Sequence, residues 1–341
     1  MAHTGRDGGT HRGTGPAPDA GRSEETAGTL AVVPDEAGFA LMRRYPSFRF
    51  ADHPAYLRHA EAQLRSMARR HGYTGVTLFD PADFAEWCAR EALDPDSPAS
   101  RARYAGEVAV HGASVAYRGQ PLSRLLPRLL AEHDRWITWE LGTDLLAGAG
   151  GCPDCGGPLP HCAFQRATDV LGAVLEDAGA GRHHLVCSLT ADTGTLTAGL
   201  HADLGPGAAV RLPEPDALVL CTVLAAGLAT GRPGGLVLRS GPPLAPAPDP
   251  DPVSDAGTDA GTDAGTDRPP VRDPAAGSAR VRGWSLRGGL LRPLSAAGVR
   301  VAYRIDARTG RPLPPEDGVT YQDAPALPPG RCSGGPERPA S

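Results

Sequence analysis

The sequence predicts an α+β protein: a mainly helical N-terminal domain over 39–147, then a small zinc-knuckle α+β domain assembled from 148–240 and 281–323. Three observations predict it. In the first half, apolar residues recur at three- and four-residue intervals, which gathers them on one face of a helix. In the second half, single helical blocks alternate with runs of period two bounded by Gly and Asp turns. Between the halves stands GCPDCGG, two thiols two residues apart with glycines behind them, a spacing that points both sulfurs at one tetrahedral ion. The remaining stretches, 1–38, 241–280 and 324–341, are rich in Gly, Pro, Thr and charge and lack periodicity. Such composition predicts a disordered N-terminal tail, a flexible linker and a disordered C-terminal tail.

In chain order, Asp52-His53-Pro54 starts a helix, with Asp52 or His53 as cap and Pro54 in the first turn. Leu57, Ala60, Leu64, Met67 and Ala68 form its apolar face, and Gly72 ends it. A short strand follows over 74–79. Asp80-Pro81 caps a second helix carrying Phe84, Trp87 and Cys88 on one side, and Ser97-Pro98 caps a third carrying Tyr104 and Val108. Residues 114–117 make another short strand. A long helix then runs from about Pro121 to Leu146, with Pro127 as a possible kink point.

Beyond the cysteine pair, 162–178 reads as a helix closed by Gly179 and Gly181. The runs 184–190 and 195–201 read as a hairpin turned at Asp192-Thr193-Gly194. Pro213 opens a helix that is apolar all round, which marks a buried helix, and Gly231 ends it. A strand over 235–239 and a hairpin over 281–294, turned at Gly288-Gly289, flank the linker, so the linker is an insertion between strands. It holds three tandem Asp-Ala-Gly-Thr units, a period too short and too polar to stack. Ser295 caps a short helix to about Arg304, and 306–310 is a turn.

The chemistry is concentrated in 151–190. A structural zinc ion needs four ligands, and Cys152 and Cys155 supply two. His184 and Cys187 repeat the two-residue gap, so Cys152, Cys155, His184 and Cys187 are the simplest set. His161, Cys162 and His183 are the alternates. Buried unpaired thiols and a redox dithiol are the competing readings. Against the latter, glycines and Pro158 follow the pair, where a redox CxxC opens a helix. His59-Ala60-Glu61 with a later CxxC resembles the zinc-deaminase signature in residue types only. Gly151 stands where that signature has proline, and 90 residues separate the two motifs.

Every one of the 34 basic residues is arginine. Without lysine this chain offers no P-loop lysine, no Schiff base and no pyridoxal-phosphate attachment. Arginine-only, Ala/Gly/Pro-rich usage resembles that of high-GC bacterial proteins. A net charge of −5 gives no global attraction to nucleic acid. Locally, though, Arg43, Arg44, Arg49, Arg58, Arg65, Arg69 and Arg70 interleave with Tyr45, Phe48, Phe50 and Tyr56, a pattern suited to a nucleic-acid or acidic-partner face, or to a solvated helix face whose arginine stems cover apolar surface. The N-terminus lacks an apolar leader, and the longest apolar run, 217–229, falls short of the ~20 residues of a bilayer span, so a cytoplasmic location is expected. The sum is a cytoplasmic, non-enzymatic bacterial protein with a structural Zn2+, acting through a protein partner. The alternatives are a nucleic-acid-binding regulator using 43–70, and a zinc enzyme with an open metal position.

Overall fold

A computed structural model describes residues 25–26, 28–70, 73–192, 194–205, 210–242, 279–303, 316 and 318–327. Outside these lie most of the expected N-terminal tail, Gly72, Thr193, the tandem repeats of the linker, the 306–310 turn and the end of the C-terminal tail. The described residues form a mixed α+β fold with eight helices and two sheets. They group into two compact units, residues 1–136 and 137–341.

The first unit is built on a four-stranded sheet of order β1-β2-β3-β4, comprising β1 (Glu25–Thr26), β2 (Thr29–Val32), β3 (Gly75–Leu78) and β4 (Ser114–Ala116). β2 and β3 are parallel, with Leu30 opposite Val76 and Val32 opposite Leu78; the outer pairs are antiparallel. A parallel pair needs a long crossover. Here it is α1 (Glu36–Met42) and α2 (His53–Arg70). Residues 29–38 were expected in a disordered tail, and the structure corrects this. Leu30, Val32, Val33 and Phe39 are core residues, and Asp35 caps α1 by accepting the Gly38 N–H at 2.7 Å. The strand is short and its partner lies some 46 positions on, so no local pattern announces it.

The caps read from the sequence are in place. Asp52 accepts the Ala55 N–H, Asp80 caps α3 (Pro81–Arg90) and Ser97 caps α4 (Pro98–His111). Two bonds from the start of α2 tie it to the sheet. The Tyr56 hydroxyl accepts the Val33 N–H at 3.0 Å, and His53 Nε2–H donates to the Val33 carbonyl at 3.1 Å. α5 (Leu122–Ala147) continues through Pro127, and its Leu122, Leu125 and Leu129 are buried in this unit's core. The division between the units falls within α5, at Trp136, rather than at the helix end expected from sequence.

The second unit contains α6 (Leu159–Ala178), β5 (Gly181–Ala191), β6 (Gly194–Leu204), β7 (Val210–Arg211), α7 (Glu214–Thr230), β8 (Gly234–Gly241), β9 (Ala279–Arg287), β10 (Leu290–Pro293), α8 (Ala296–Tyr303) and β11 (Val319–Tyr321). Its sheet order is β10-β9-β8-β5-β6-β7, antiparallel throughout, with β11 added parallel to the start of β9. Register aligns Ala198, Cys187, Leu236 and Trp284 in one buried row and Leu196, Leu189, Gly234 and Leu286 in the next. α6 and α7 pack on this face. Every residue of α7 from Val219 to Leu228 is buried, which is why its sequence shows no polar side. At Gly288 and Gly289, φ values of +56° and +73° make the tight turn between β9 and β10.

The strands trim the expected linker, since β8 reaches Gly241 and β9 begins at Ala279. The expected tail from 324 is likewise corrected at its start. Ala324 N–H donates to the Leu294 carbonyl, the Trp284 indole N–H donates to the Pro325 carbonyl at 2.9 Å, and Leu327 packs on the core. No helix among the described residues is long and apolar enough to cross a membrane.

Candidate metal centre

Residues 150–162 form a knuckle running into α6. Gly151 bridges Pro158, the Cys152 N–H donates to the Gly157 carbonyl at 2.7 Å, and the Gly156 N–H donates to the Cys152 carbonyl at 2.9 Å. This turn requires Gly156 at φ +74°, a conformation that glycine adopts without strain. The Leu159 N–H then closes on the Gly150 carbonyl, and α6 begins. Pro160 in the first turn needs no N–H partner there, so the helix starts three residues earlier than expected.

The knuckle and the first turn of α6 bring Cys152, Cys155 and Cys162 together, with their sulfurs all within 4.8 Å of one another. Cys155 and Cys162 are 3.4 Å apart. In a tetrahedral zinc thiolate site the sulfurs lie about 3.8 Å apart, given Zn–S bonds of ~2.3 Å. Three close cysteines at this spacing could therefore hold a metal ion. The N-terminal end of α6, where the helix dipole is positive, lies at Cys162 and suits the negative charge of bound thiolates. A cavity of about 290 Å³ adjoins the cluster, lined by Cys152, Cys162, Asp154, Arg166, Gly288 and Leu290 among others.

His184 and Cys187, expected as the second ligand pair, do not join this cluster. The reason is the strand itself. Side chains alternate faces, so residues three apart on β5 point to opposite sides. Cys187 is fully buried in the inner row, where burial first, and Cys221 second, push its thiol up to about 12. His184 lies on the outer face, its ring stacked on His201 at 4.3 Å. Burial, His201 and Arg239 together hold its pKa below the ordinary histidine value.

Of the alternates, Cys162 joins the cluster, and His161 is exposed beside it on α6. His183 is a satisfied core histidine. The Gly179 carbonyl can only accept, so Nε2–H donates to it at 3.0 Å, and Nδ1 accepts the Ser240 hydroxyl at 2.9 Å. Burial lowers its pKa, which favours the neutral ring. Cys221 is another core thiol, raised by burial to about 11.

The remaining candidates resolve locally. His59 packs its ring on Phe50, and Glu61 pairs with Arg65. Both belong to the first unit and the CxxC to the second. Of the rings interleaved with the basic residues, Phe48 and Tyr56 are buried, and Phe50 and Tyr45 pack edgewise on Tyr56 and Phe84. These rings therefore build the core, while Arg43, Arg44, Arg58, Arg65, Arg69 and Arg70 are exposed.

A family model described as a domain of unknown function (DUF8829) matches residues 18–120, which is most of the first unit and none of the cysteine cluster. No curated protein matches, and no solved structure matches.

Proposed function

We propose that this protein is a zinc-stapled binding module that acts through a protein partner, with Cys152, Cys155 and Cys162 as ligands of a structural ion. The observation that carries the reading is the convergence of these three thiols at the start of α6. A soft, all-thiolate donor set favours zinc over magnesium or calcium. The ion would fix the knuckle to the helix and add folding energy at the edge of the second unit's core. A non-enzymatic role draws support from the other thiols. Cys187 and Cys221 are core residues kept protonated by burial, and His183 is committed to two hydrogen bonds.

The test is metal content of the purified chain beside four variants. About one zinc per chain is expected, lost in Cys155→Ser and Cys162→Ser and kept in His184→Ala and Cys187→Ala. Loss of zinc in His184→Ala would restore the ligand set expected from sequence, and zinc-free wild type would end the reading.

The adjoining cavity favours one second reading. Three ligands leave a fourth coordination place, and catalytic zinc sites keep such a place open. A cobalt-substituted protein whose visible spectrum shifts when azide or another small anion is added would support an open site. A spectrum that no small ligand alters would support the closed structural one.

A further inference from the structure

A second concave feature of the second unit is away from the cysteines, between α6 and α7. It is a cleft of about 850 Å³, within the range of ~300–1,000 Å³ that small-molecule sites occupy. Phe164, Leu171, Leu175, Leu212, Ala217 and Leu218 give it an apolar wall. Leu218, 45% exposed, lies in the open first part of α7, just before the buried run that begins at Val219.

Two further observations describe its occupant. Gly172 lies in the interior of α6, where glycine is unfavourable, and the space a side chain would take there is empty to 4 Å. The helix thus carries its least stabilising ordinary residue where any other would narrow the cleft. Secondly, the ionisable lining among the described residues is Glu176, Glu214 and the Cys221 thiol, with no arginine or histidine. Glu176 is in the last turn of α6, at the negative end of that helix dipole. Both glutamates are exposed, so they mark the mouth rather than the floor.

We propose that this cleft binds a small amphiphilic cation, its apolar body against Leu171, Leu175 and Leu218 and its positive group at Glu176 and Glu214. The proposal goes beyond the zinc reading and is independent of it, since no cleft residue belongs to the cysteine cluster.

The experiment is calorimetric titration of the full chain with decyltrimethylammonium, kept below its micellar concentration, with decanoate and tetramethylammonium as comparison probes. Saturable 1:1 binding of decyltrimethylammonium is expected, about fivefold or more tighter than decanoate, with no binding of tetramethylammonium. Gly172→Leu should weaken it by about tenfold or more while leaving the fold intact, because it fills empty space and removes a helix glycine. Thr168→Trp, at an exposed position of the same lining, is the second blocking variant should the first misfold. Glu176→Gln with Glu214→Gln should erase the preference over decanoate. Equal binding of the two wild-type probes, binding that neither blocking variant weakens, or no saturable binding would each overturn the proposal. So would a wild-type dimer that Gly172→Leu converts to monomer, which would assign the cleft to a second copy of the chain.

Discussion

In the first unit, eight of the buried side chains are aromatic, from Phe39 and Phe48 to Tyr104 and Tyr117; in the second, Trp284 is the one aromatic among them, considering the described residues. The rings of the first unit meet mostly edge to face or tilted, with Phe84 and Trp87 stacked. Phe84 alone lies within 6.5 Å of Tyr45, Phe79, Trp87 and Tyr104. Such contacts join segments that share no ladder, which suits a unit whose strands are only two to four residues long. The second unit does the reverse. Its long antiparallel strands line up rows of Leu, Ala and Cys, and glycines admit the close approaches. Stability is therefore concentrated in a few large side chains in the first unit and spread along the register in the second.

The largest effect is expected from Phe84→Ala, which should cost about 3–5 kcal/mol through lost contacts and the cavity left behind. Hydrogen exchange should confine the loss to residues 28–136; a matching loss in the second unit would mean that the two do not unfold separately. Next is metal removal. With zinc present at about 100 times its dissociation constant, chelation should cost the knuckle and α6 about 3 kcal/mol and leave the first unit's protection unchanged. Third is Gly234→Ala. A Cβ there would lie 2.2 Å from the Ser188 carbonyl oxygen, a backbone atom that cannot step aside, so a loss of about 1–3 kcal/mol is expected by denaturant unfolding. A neutral result would show that the β5–β8 ladder yields more than its register suggests.

The smallest effect is the dependence on pH. Burial lowers the pKa of His183 and, with help from His201 and Arg239, that of His184. Unfolded chains therefore take up these protons at a higher pH, near the ordinary value of about 6.5, than the folded unit does. The stability of the second unit should fall as pH drops through that value, then level off below the depressed folded pKa. Denaturation at pH 7.5 and 5.0 with chelator present, so that thiolate protonation does not contribute, should show this slope. His183→Gln should flatten part of it.

Much of the fold was legible because its cues are local. Asp80 and Ser97 cap the helices they were expected to cap, Gly231 follows α7 in the left-handed region, and Gly288-Gly289 turns a hairpin. What was not legible depends on distant partners. β2 needs β3, and β11 is parallel to the start of β9, so neither carries a turn or an alternation long enough to read. The candidate site divides the same way. Cys152 and Cys155 stand out by spacing, and Cys162 is brought to them by the early start of α6 at Leu159. The pairing of His184 with Cys187 applied a turn's spacing to a strand. The alternation Leu185, Cys187, Leu189 was already visible as one apolar face, and it assigns Cys187 to the core and His184 to the opposite side.

The neighbouring placement of β8 and β9 has a practical use. Ser240 is paired with Arg280, so the chain leaves the sheet at one strand end and returns at the very next one, with residues 243–278 in between. Closing that gap demands only a hairpin turn. Replacing the 36 residues by a four-residue connection should raise stability by about 2 kcal/mol, since each halving of a loop is worth about 0.6 kcal/mol. For the same reason this is the position at which to graft a fluorescent protein, an affinity tag or new chain termini.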